Sequence, residues 1–258
     1  MSELSAELLS RIEDAGLNAS APPQQRWVDG WIVRFSPGKA QRARCINAVA
    51  EGRGPLSARL ASCQALYRKA GLRPLFRITP FSQPARLDEW LAQRGYQRFG
   101  DTHVMVCSHL PRQAEAAVPA GSIIQAVASE AYAHIVGEFR GTPLAGRLAH
   151  AERLRHSPVP YHGLVLRTAD GQVLACGQAV IEDDLVGLYD VFTAPQARGR
   201  GLSRWLCALL LAQAREQGAR IGYLQVDAGN APARAVYRRL GFVDGYDYHY
   251  RALPSAGD

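Results

Sequence analysis

The stretch between Leu188 and Leu202 limits the fold of this chain more than any other. An apolar strand pattern ends there in QARGRG, residues Gln196 to Gly201, and passes directly into a helical pattern. Gly199 and Gly201 lack a Cβ, so the backbone of this turn lets a ligand approach closely. The unpaired N–H groups of the next helical turn, together with the helix dipole, attract negative charge. The segment therefore predicts an α/β fold with a site for an anionic cofactor.

Two other phosphate-binding loops are excluded by their spacing. The chain has only two lysines, Lys39 and Lys69, and neither follows Gly199 as a P-loop requires. A dinucleotide fingerprint needs a third glycine, but Arg204 stands at that position. It also needs an acidic residue about 20 positions further on, and this chain has none there. The pattern that remains is [Gln/Arg]-x-x-Gly-x-[Gly/Ala].

The segments that follow the loop show the hydrophobic spacing of a helix and then of a strand. Leucine and alanine recur at helical spacing until Gly218, and residues 221–226 form a short buried strand pattern. A turn at residues 227–230 then leads into a second helical pattern. That helix carries the series Asn230, Ala233, Ala235, Tyr237, Leu240, Gly241 and Phe242.

Together the two motifs resemble the GNAT superfamily of acetyl-CoA-dependent N-acetyltransferases. The first is similar to the pyrophosphate loop of that family, and the second to the segment that flanks the thioester and closes with Leu-Gly-Phe. The resemblance covers residues 122–251. It implies acetyl-CoA as co-substrate, with pantetheine lying between two splayed strands. The cofactor-binding positions that it assigns are Val191, Phe192, Thr193, Arg198, Gly199, Arg200, Gly201, Leu202, Ser203 and Asn230.

Tyr237 is the side chain that the resemblance assigns as catalytic acid. The departing thiolate gains charge as the thioester breaks, and a phenol within hydrogen-bond reach stabilises it. The alternative is an aromatic anchor that packs its helix on the sheet. Asn230 is expected to cap the same helix, and it could also bond to the pantetheine arm.

Asp190 is the second catalytic candidate, because an amine acceptor arrives as an ammonium and must lose a proton before it attacks. A lone carboxylate in an apolar strand is costly to bury without a purpose. Two other interpretations stay open: Asp190 binds the positive charge of the substrate, or it bonds to neighbouring backbone. Four histidines are further candidates for the acceptor side, with no partner readable from the sequence: His134, His150, His156 and His162.

Composition narrows the possible partners. The net charge is +7, with 47% hydrophobic and 21% charged residues, which is typical of a folded domain. The arginines are dispersed without interleaved aromatic residues, so no nucleic-acid partner is predicted. The five cysteines lack metal-binding spacing, so we expect no metal and a reduced cytoplasmic location. Residues 1–16 fit neither an export signal nor a membrane span, so no membrane partner is predicted, and a homodimer stays open.

The chain also carries an internal repeat. Gly54 and Gly201 are 147 residues apart, as are Gly71 and Gly218, and both pairs flank helical patterns. The sequence thus predicts a mixed central sheet flanked by helices, in two tandem GNAT-like domains at residues 1–115 and 116–258. The first repeat lacks Gln or Arg at the matching position, and Pro55 removes an amide. We therefore expect a degenerate N-terminal domain and a catalytic C-terminal one.

The predicted function is transfer of an acetyl group from acetyl-CoA to a primary amine of a small molecule or peptide, by direct attack. One alternative is a module that binds acyl-CoA without transferring anything. The other is a tandem GNAT enzyme that acylates a larger metabolite, similar to the acetyltransferases of thiol biosynthesis.

Overall fold

The computed structural model describes residues 4–36, 40–113 and 118–254. Its helices are α1 (Ala6–Ala19), α2 (Leu56–Lys69), α3 (Leu87–Ala92), α4 (Ser129–Phe139), α5 (Leu144–Arg155), α6 (Leu202–Glu216) and α7 (Ala231–Arg239). Its strands are β1 (Gln25–Val28), β2 (Trp31–Arg34), β3 (Ile46–Asn47), β4 (Phe76–Ile78), β5 (Gln97–Cys107), β6 (Ser122–Val127), β7 (Tyr161–Thr168), β8 (Val173–Glu182), β9 (Leu185–Thr193), β10 (Ile221–Asp227) and β11 (Val243–Ala252).

Local sequence explains where the main elements begin and end. Gly201, whose φ of +73° suits glycine, directly precedes helix α6, and Gly218, whose φ is +107°, follows its end. The turn at Asp170 and Gly171 joins β7 to β8 as an antiparallel hairpin, as its Asp-Gly pair predicts. Asn230 caps α7 by accepting a hydrogen bond from the N–H of Ala233 at 3.2 Å.

All the strands described form one mixed sheet, in the order β1-β2-β3-β4-β11-β5-β10-β9-β8-β7-β6. Each repeat contributes one strand to the part of the sheet that the other repeat forms. Strand β5 from the first repeat pairs antiparallel with β10, and β11 from the second repeat pairs antiparallel with β4. Strands β5 and β11 also pair with each other, so the two repeats share the centre of the sheet.

The exchange has a symmetric pattern. Strand β3 runs parallel to β4 in the first repeat, and β9 runs parallel to β10 in the second. Helices α2 and α6, and then α3 and α7, occupy matching positions along the chain. The predicted boundary between residues 115 and 116 lies outside the described residues, and the division into two domains remains a proposal.

Helices cover both faces of the sheet in the second repeat. Leu164 and Leu166 of β7 share a core with Leu206 and Leu210 of α6, whereas Val165 packs against α4. This alternation is what a strand buried on both faces requires. Helices α1 and α5 contribute to a third core that is rich in tyrosine. The predicted fold, a mixed sheet flanked by helices, is confirmed.

Candidate functional site

The strands β9 and β10 separate in the middle of the sheet. They pair in parallel only where residues 185–188 face residues 221–224. Beyond that point β9 stays paired with β8, and β10 stays paired with β5. Residues 189–193 and 225–227 therefore border a gap, and among the described residues no strand pairs with the backbone groups that face it.

A β-bulge lies at the start of this gap. Gln178 of β8 is paired with Tyr189, and Cys176 is paired with Phe192, so Asp190 and Val191 together oppose the single residue between them. The φ of Asp190 is +49°, an uncommon value for a residue other than glycine. Such a bulge redirects side chains and bends its strand, which accounts for the separation of β9 from β10.

Side chains from the residue after α4, from α5 and from β8 surround the Asp190 carboxylate. Arg140 Nη1 lies 2.8 Å from Oδ1, while His150 Nε2 and Gln178 Nε2 lie 3.2 and 3.3 Å from Oδ2. The Tyr132 hydroxyl donates to the backbone carbonyl of the same residue at 2.9 Å. Burial disfavours the charged carboxylate, but His150 and Arg140 outweigh it and hold the pKa of Asp190 well below its usual range. Asp190 is therefore ionised and has little affinity for a proton at neutral pH.

The glycine-rich loop at residues 196–201 leaves space around its glycines. Gly199 has a φ of +75°, and an added Cβ at Gly199 or Gly201 would contact no other atom within 4 Å. Within the part of the chain that the structure describes, the N–H groups of Gly199, Gly201 and Leu202 donate no hydrogen bond. Helix α6 has no acidic residue in its first turn and no side-chain cap. The loop is thus a set of free donors at a helix N-terminus.

The remaining predicted cofactor positions lie along the gap or beside it. Phe192 stacks on Phe139 of α4 with ring centroids 4.8 Å apart. The Thr193 carbonyl accepts from Arg198 Nε at 3.4 Å, and the buried Thr193 hydroxyl has no hydrogen-bond partner among the described residues. Arg200 is exposed and Ser203 half-buried at the loop and the start of α6.

Tyr237 of α7 is half-buried at the edge of the core that α6 shares with the sheet. Its ring meets Phe242 edge-on at 6.0 Å between centroids. Burial, with a smaller effect from Cys207, raises the pKa of the Tyr237 phenol, so the phenol is protonated at neutral pH. Burial also raises the pKa of the Cys207 thiol to about 12, which leaves that cysteine a poor nucleophile.

A cavity of about 260 Å³ opens beside Asp190. Both repeats line it, because the segment after β2 and helix α5 face each other there. The lining residues are Ser20, Ser36, Ala40, Arg42, Ala43, Arg140, Thr142, Gly146, Ala149, His150, Arg153, Tyr161, Tyr189 and Asp190. Of the four predicted histidines, His150 is the one on this wall.

The matching loop of the first repeat is already occupied by the protein itself. Asp29 accepts hydrogen bonds from the N–H groups of Arg53 and Gly54, each at 2.9 Å. These two N–H groups, and then the Arg59 charge, hold the pKa of the Asp29 carboxyl below its usual value. The carboxylate thus sits where an anionic ligand of the first loop would bind.

Comparison with known proteins agrees with this geometry. Residues 8–251, most of the chain, match the family model described as probable histone acetyltransferase Rv0428c C-terminal. The chain belongs to this acetyltransferase family. The predicted membership of the GNAT superfamily is thereby confirmed.

Solved structures show the same GNAT fold. A GCN5-related N-acetyltransferase from Kribbella flavida superposes with a TM-score of 0.69 at 19% identity, over 96% of each chain. A tandem GNAT protein from the clavulanic acid biosynthesis pathway superposes with a TM-score of 0.60 at 18% identity. That match covers 77% of this chain and 70% of the other.

Curated relatives of this family member match over shorter segments. A mycothiol acetyltransferase from Thermomonospora curvata is 34% identical over 94 residues, which is 36% of this chain and 32% of that protein. The corresponding enzyme from Corynebacterium glutamicum is 46% identical over 60 residues, which is 23% of this chain and 20% of that protein. The matched segments thus span a third or less of these two relatives.

Among the described residues of this chain, no helix is both long and apolar enough to cross a membrane.

Proposed function

We propose that this chain transfers an acetyl group from acetyl-CoA to a primary amine by direct attack. The observation that carries the proposal is the gap between β9 and β10, which leads to free amides at the N-terminus of α6. A strand-shaped gap suits an extended amide-containing chain, and a cluster of unpaired N–H groups suits a pyrophosphate. The curated relatives named mycothiol acetyltransferase support acetyl as the transferred group.

In this proposal the cofactor is bound mainly by backbone. The amides from Arg198 to Ser203 bind the pyrophosphate, so the identities of the Arg200 and Leu202 side chains matter less than the loop geometry. Val191, Phe192 and Thr193 offer the edge of β9 to pantetheine and the acyl group. The free Thr193 hydroxyl supports this position, because a buried polar group needs a partner. Asn230 contributes by capping α7.

Tyr237 is the proposed acid. Its raised pKa keeps the phenol protonated, so it can donate to the thiolate that leaves as the thioester breaks. The high pKa of the Cys207 thiol favours direct attack over an acyl-cysteine intermediate.

We assign Asp190 to attraction and orientation of the substrate amine rather than to removal of its proton. A general base must compete for a proton near neutral pH, and a carboxylate with a strongly lowered pKa does so poorly. Its negative charge at the cavity wall still favours an ammonium group. Asp190 is therefore a binding and positioning residue for the acceptor.

Calorimetry with acetyl-CoA tests the cofactor site. Gly201→Val places a β-branched residue at φ +73° beside the proposed pyrophosphate, and we expect acetyl-CoA affinity to fall at least tenfold. Gly218→Val is the matched control, because it imposes similar strain at the other end of α6, and its affinity should stay close to wild type. Equal binding by Gly201→Val and wild type would overturn the site.

An amine panel with a free-thiol readout tests the transfer. Amino acids, polyamines, aminoglycosides and peptide N-termini cover the main acceptor classes. Acceptor-dependent release of CoA is the expected result. If acetyl-CoA binds and no amine promotes thiol release, the chain is an acyl-CoA-binding module and the proposed transfer is wrong.

A further inference from the structure

The cavity beside Asp190 carries more positive than negative charge. Three arginines line it, Arg42, Arg140 and Arg153, whereas Asp190 is its one acidic residue within the described part of the chain. The Asp190 carboxylate is already paired with Arg140 and His150. The other two arginines have no ion pair with a carboxylate in the described residues, and Arg153 acts on Asp190 only over a longer distance, where it helps to lower the pKa of that carboxyl.

Arg153 is the more deeply buried of these two. Only 8% of it is exposed, and its guanidinium carbon lies 6.0 Å from the centroid of the Tyr161 ring. Within residues 4–36, 40–113 and 118–254 no carboxylate lies within ion-pair distance of it. Burying a guanidinium without a close ion-pair partner is costly, and Asp190, already paired with Arg140 and His150, offsets this cost only in part, so the arrangement favours an anion that arrives from solution.

Arg42 comes from the first repeat and faces the same cavity. Its Nη1 donates to the neutral amide oxygen of Gln225 at 2.7 Å, and its guanidinium carbon lies 5.8 Å from the Tyr189 ring centroid. No acidic side chain in the described ranges pairs with it either. A planar guanidinium with free donors is well suited to a carboxylate or a phosphate.

We propose that the acceptor of this enzyme is an amine that also carries an anionic group, a carboxylate or a phosphate. Arg42 and Arg153 bind the anionic group, and Asp190 attracts the ammonium group. This inference rests on the proposed acetyl transfer, and it narrows the acceptor class. It also disfavours polyamines, because two arginines without a close ion-pair partner repel additional positive charge.

Matched pairs of small amines test the proposal. β-Alanine is compared with propylamine, and phosphoethanolamine with ethanolamine, so that each pair differs mainly in the anionic group. The first pair tests a carboxylate and the second a phosphate. Acceptor-dependent thiol release gives kcat/KM, and calorimetry with CoA present gives binding that does not depend on transfer. We expect the anionic member of at least one pair to be favoured by roughly 10- to 100-fold.

Arg153→Gln and Arg42→Gln should each reduce this preference by roughly tenfold while acetyl-CoA affinity stays unchanged. The matched control is Arg155→Gln on the same helix, since the Arg155 side chain is 64% exposed and pairs with Glu152. Using two arginine variants guards against a folding defect in one of them, and thermal unfolding identifies such a defect.

The outcomes separate this inference from the proposed function. Equal kcat/KM and equal binding for both members of both pairs would overturn the anion site and leave acetyl transfer intact. Preference for the anionic amine that survives in both arginine variants would also overturn it. Arg153-dependent binding of the anionic amine without any thiol release would uphold the anion site and overturn the transfer.

Discussion

Asp190 combines an unusual backbone conformation with a buried charge, and we propose that it has both a structural and a chemical role. Its left-handed backbone creates the bulge that parts β9 from β10, and its carboxylate collects Arg140 and His150 at the wall of the cavity. The proposed cofactor gap and the proposed acceptor cavity thus meet at one position. A change of side chain there affects the acceptor side most, because the bulge is a property of the backbone.

Asp190→Asn should lower acetyl transfer at every pH without moving the apparent pKa of the rate profile. The pKa of Asp190 is already far below the usual value, so the carboxylate does not titrate between pH 5 and pH 9. We expect KM for the amine to rise and acetyl-CoA affinity to hold, measured by steady-state kinetics across that range. Asp183→Asn in the exposed turn before β9 is the control. Loss of the acidic limb in Asp190→Asn alone would restore the general-base interpretation.

Tyr237→Phe should lower kcat by roughly 10²-fold, the usual contribution of a general acid. The substitution keeps the ring that packs on Phe242, so stability and acetyl-CoA affinity should change little. Pre-steady-state thiol release and calorimetry measure the two effects separately. Tyr96→Phe, whose hydroxyl bonds to Gln64 in the first repeat, serves as the control. Unchanged kcat in Tyr237→Phe would reduce Tyr237 to a packing residue.

At the scale of elements, the two glycine-rich loops occupy corresponding positions in the two repeats, but their backbone amides differ in whether they are already hydrogen-bonded. The second has free amides, and in the first the Asp29 carboxylate accepts from the amides of Arg53 and Gly54. Arg59, which stacks on Trp31 with its guanidinium carbon 4.8 Å from the ring centroid, adds a further contact to Asp29 at 3.4 Å. An internal carboxylate at high effective concentration competes well with a ligand in solution.

The chain should therefore bind one acetyl-CoA, in the second loop. Calorimetry on wild type is expected to give a stoichiometry of one. Asp29→Asn removes the internal charge but leaves Pro55 and the altered loop sequence, so its stoichiometry should also be one. Two bound cofactors in wild type would contradict this prediction, and two in Asp29→Asn alone would show that Asp29 is what closes the first loop.

Local sequence predicted the elements of the second repeat well, because their limits depend on nearby residues. The Asp-Gly turn, the cap at Asn230 and the end of α6 at Gly218 are each determined within a few positions. The partners of Asp190 were not readable, because Arg140 and His150 lie 50 and 40 positions before it. The contact of Asp29 with the first loop is not readable from the sequence for the same reason, since no local pattern connects it to Gly54.

For the whole molecule, the exchange of β5 and β11 joins the two repeats through one sheet. Side chains also hold β11 against the first repeat. The Asp88 carboxylate of α3 accepts hydrogen bonds from Arg251 and His249 of β11, at 2.6 and 2.8 Å. The Arg251 hydrogen bond, against the cost of burial, lowers the pKa of Asp88 to about 2. The sequence repeat indicated two similar units but not this strand order, because strand order depends on pairings between distant residues.

Asp88→Asn should reduce the free energy of unfolding by about 1–2 kcal/mol at pH 7, after allowance for the partial exposure of the pair. The folded pKa is below the unfolded one, so the unfolded chain takes up its proton first as the pH falls. The difference from wild type should therefore be complete above about pH 5 and shrink towards pH 2. Denaturant unfolding over this range measures it. Asp101→Asn, half exposed beside Arg98, should change stability by less than about 0.5 kcal/mol. A difference that does not vary with pH would refute the assignment.

The exchanged strands also set an order for folding as the chain leaves the ribosome. Residues 97–107 are made more than 100 residues before both strands that flank them, residues 221–227 and 243–252. Until then β5 has two open edges, a state that invites pairing with other chains. The contacts that close the sheet span more than 100 residues, and such distant pairings form slowly. The proposed cofactor gap beside β10 thus gains its second border only after residues 221–227 have been made, so a chain truncated before residue 221 would lack the gap altogether.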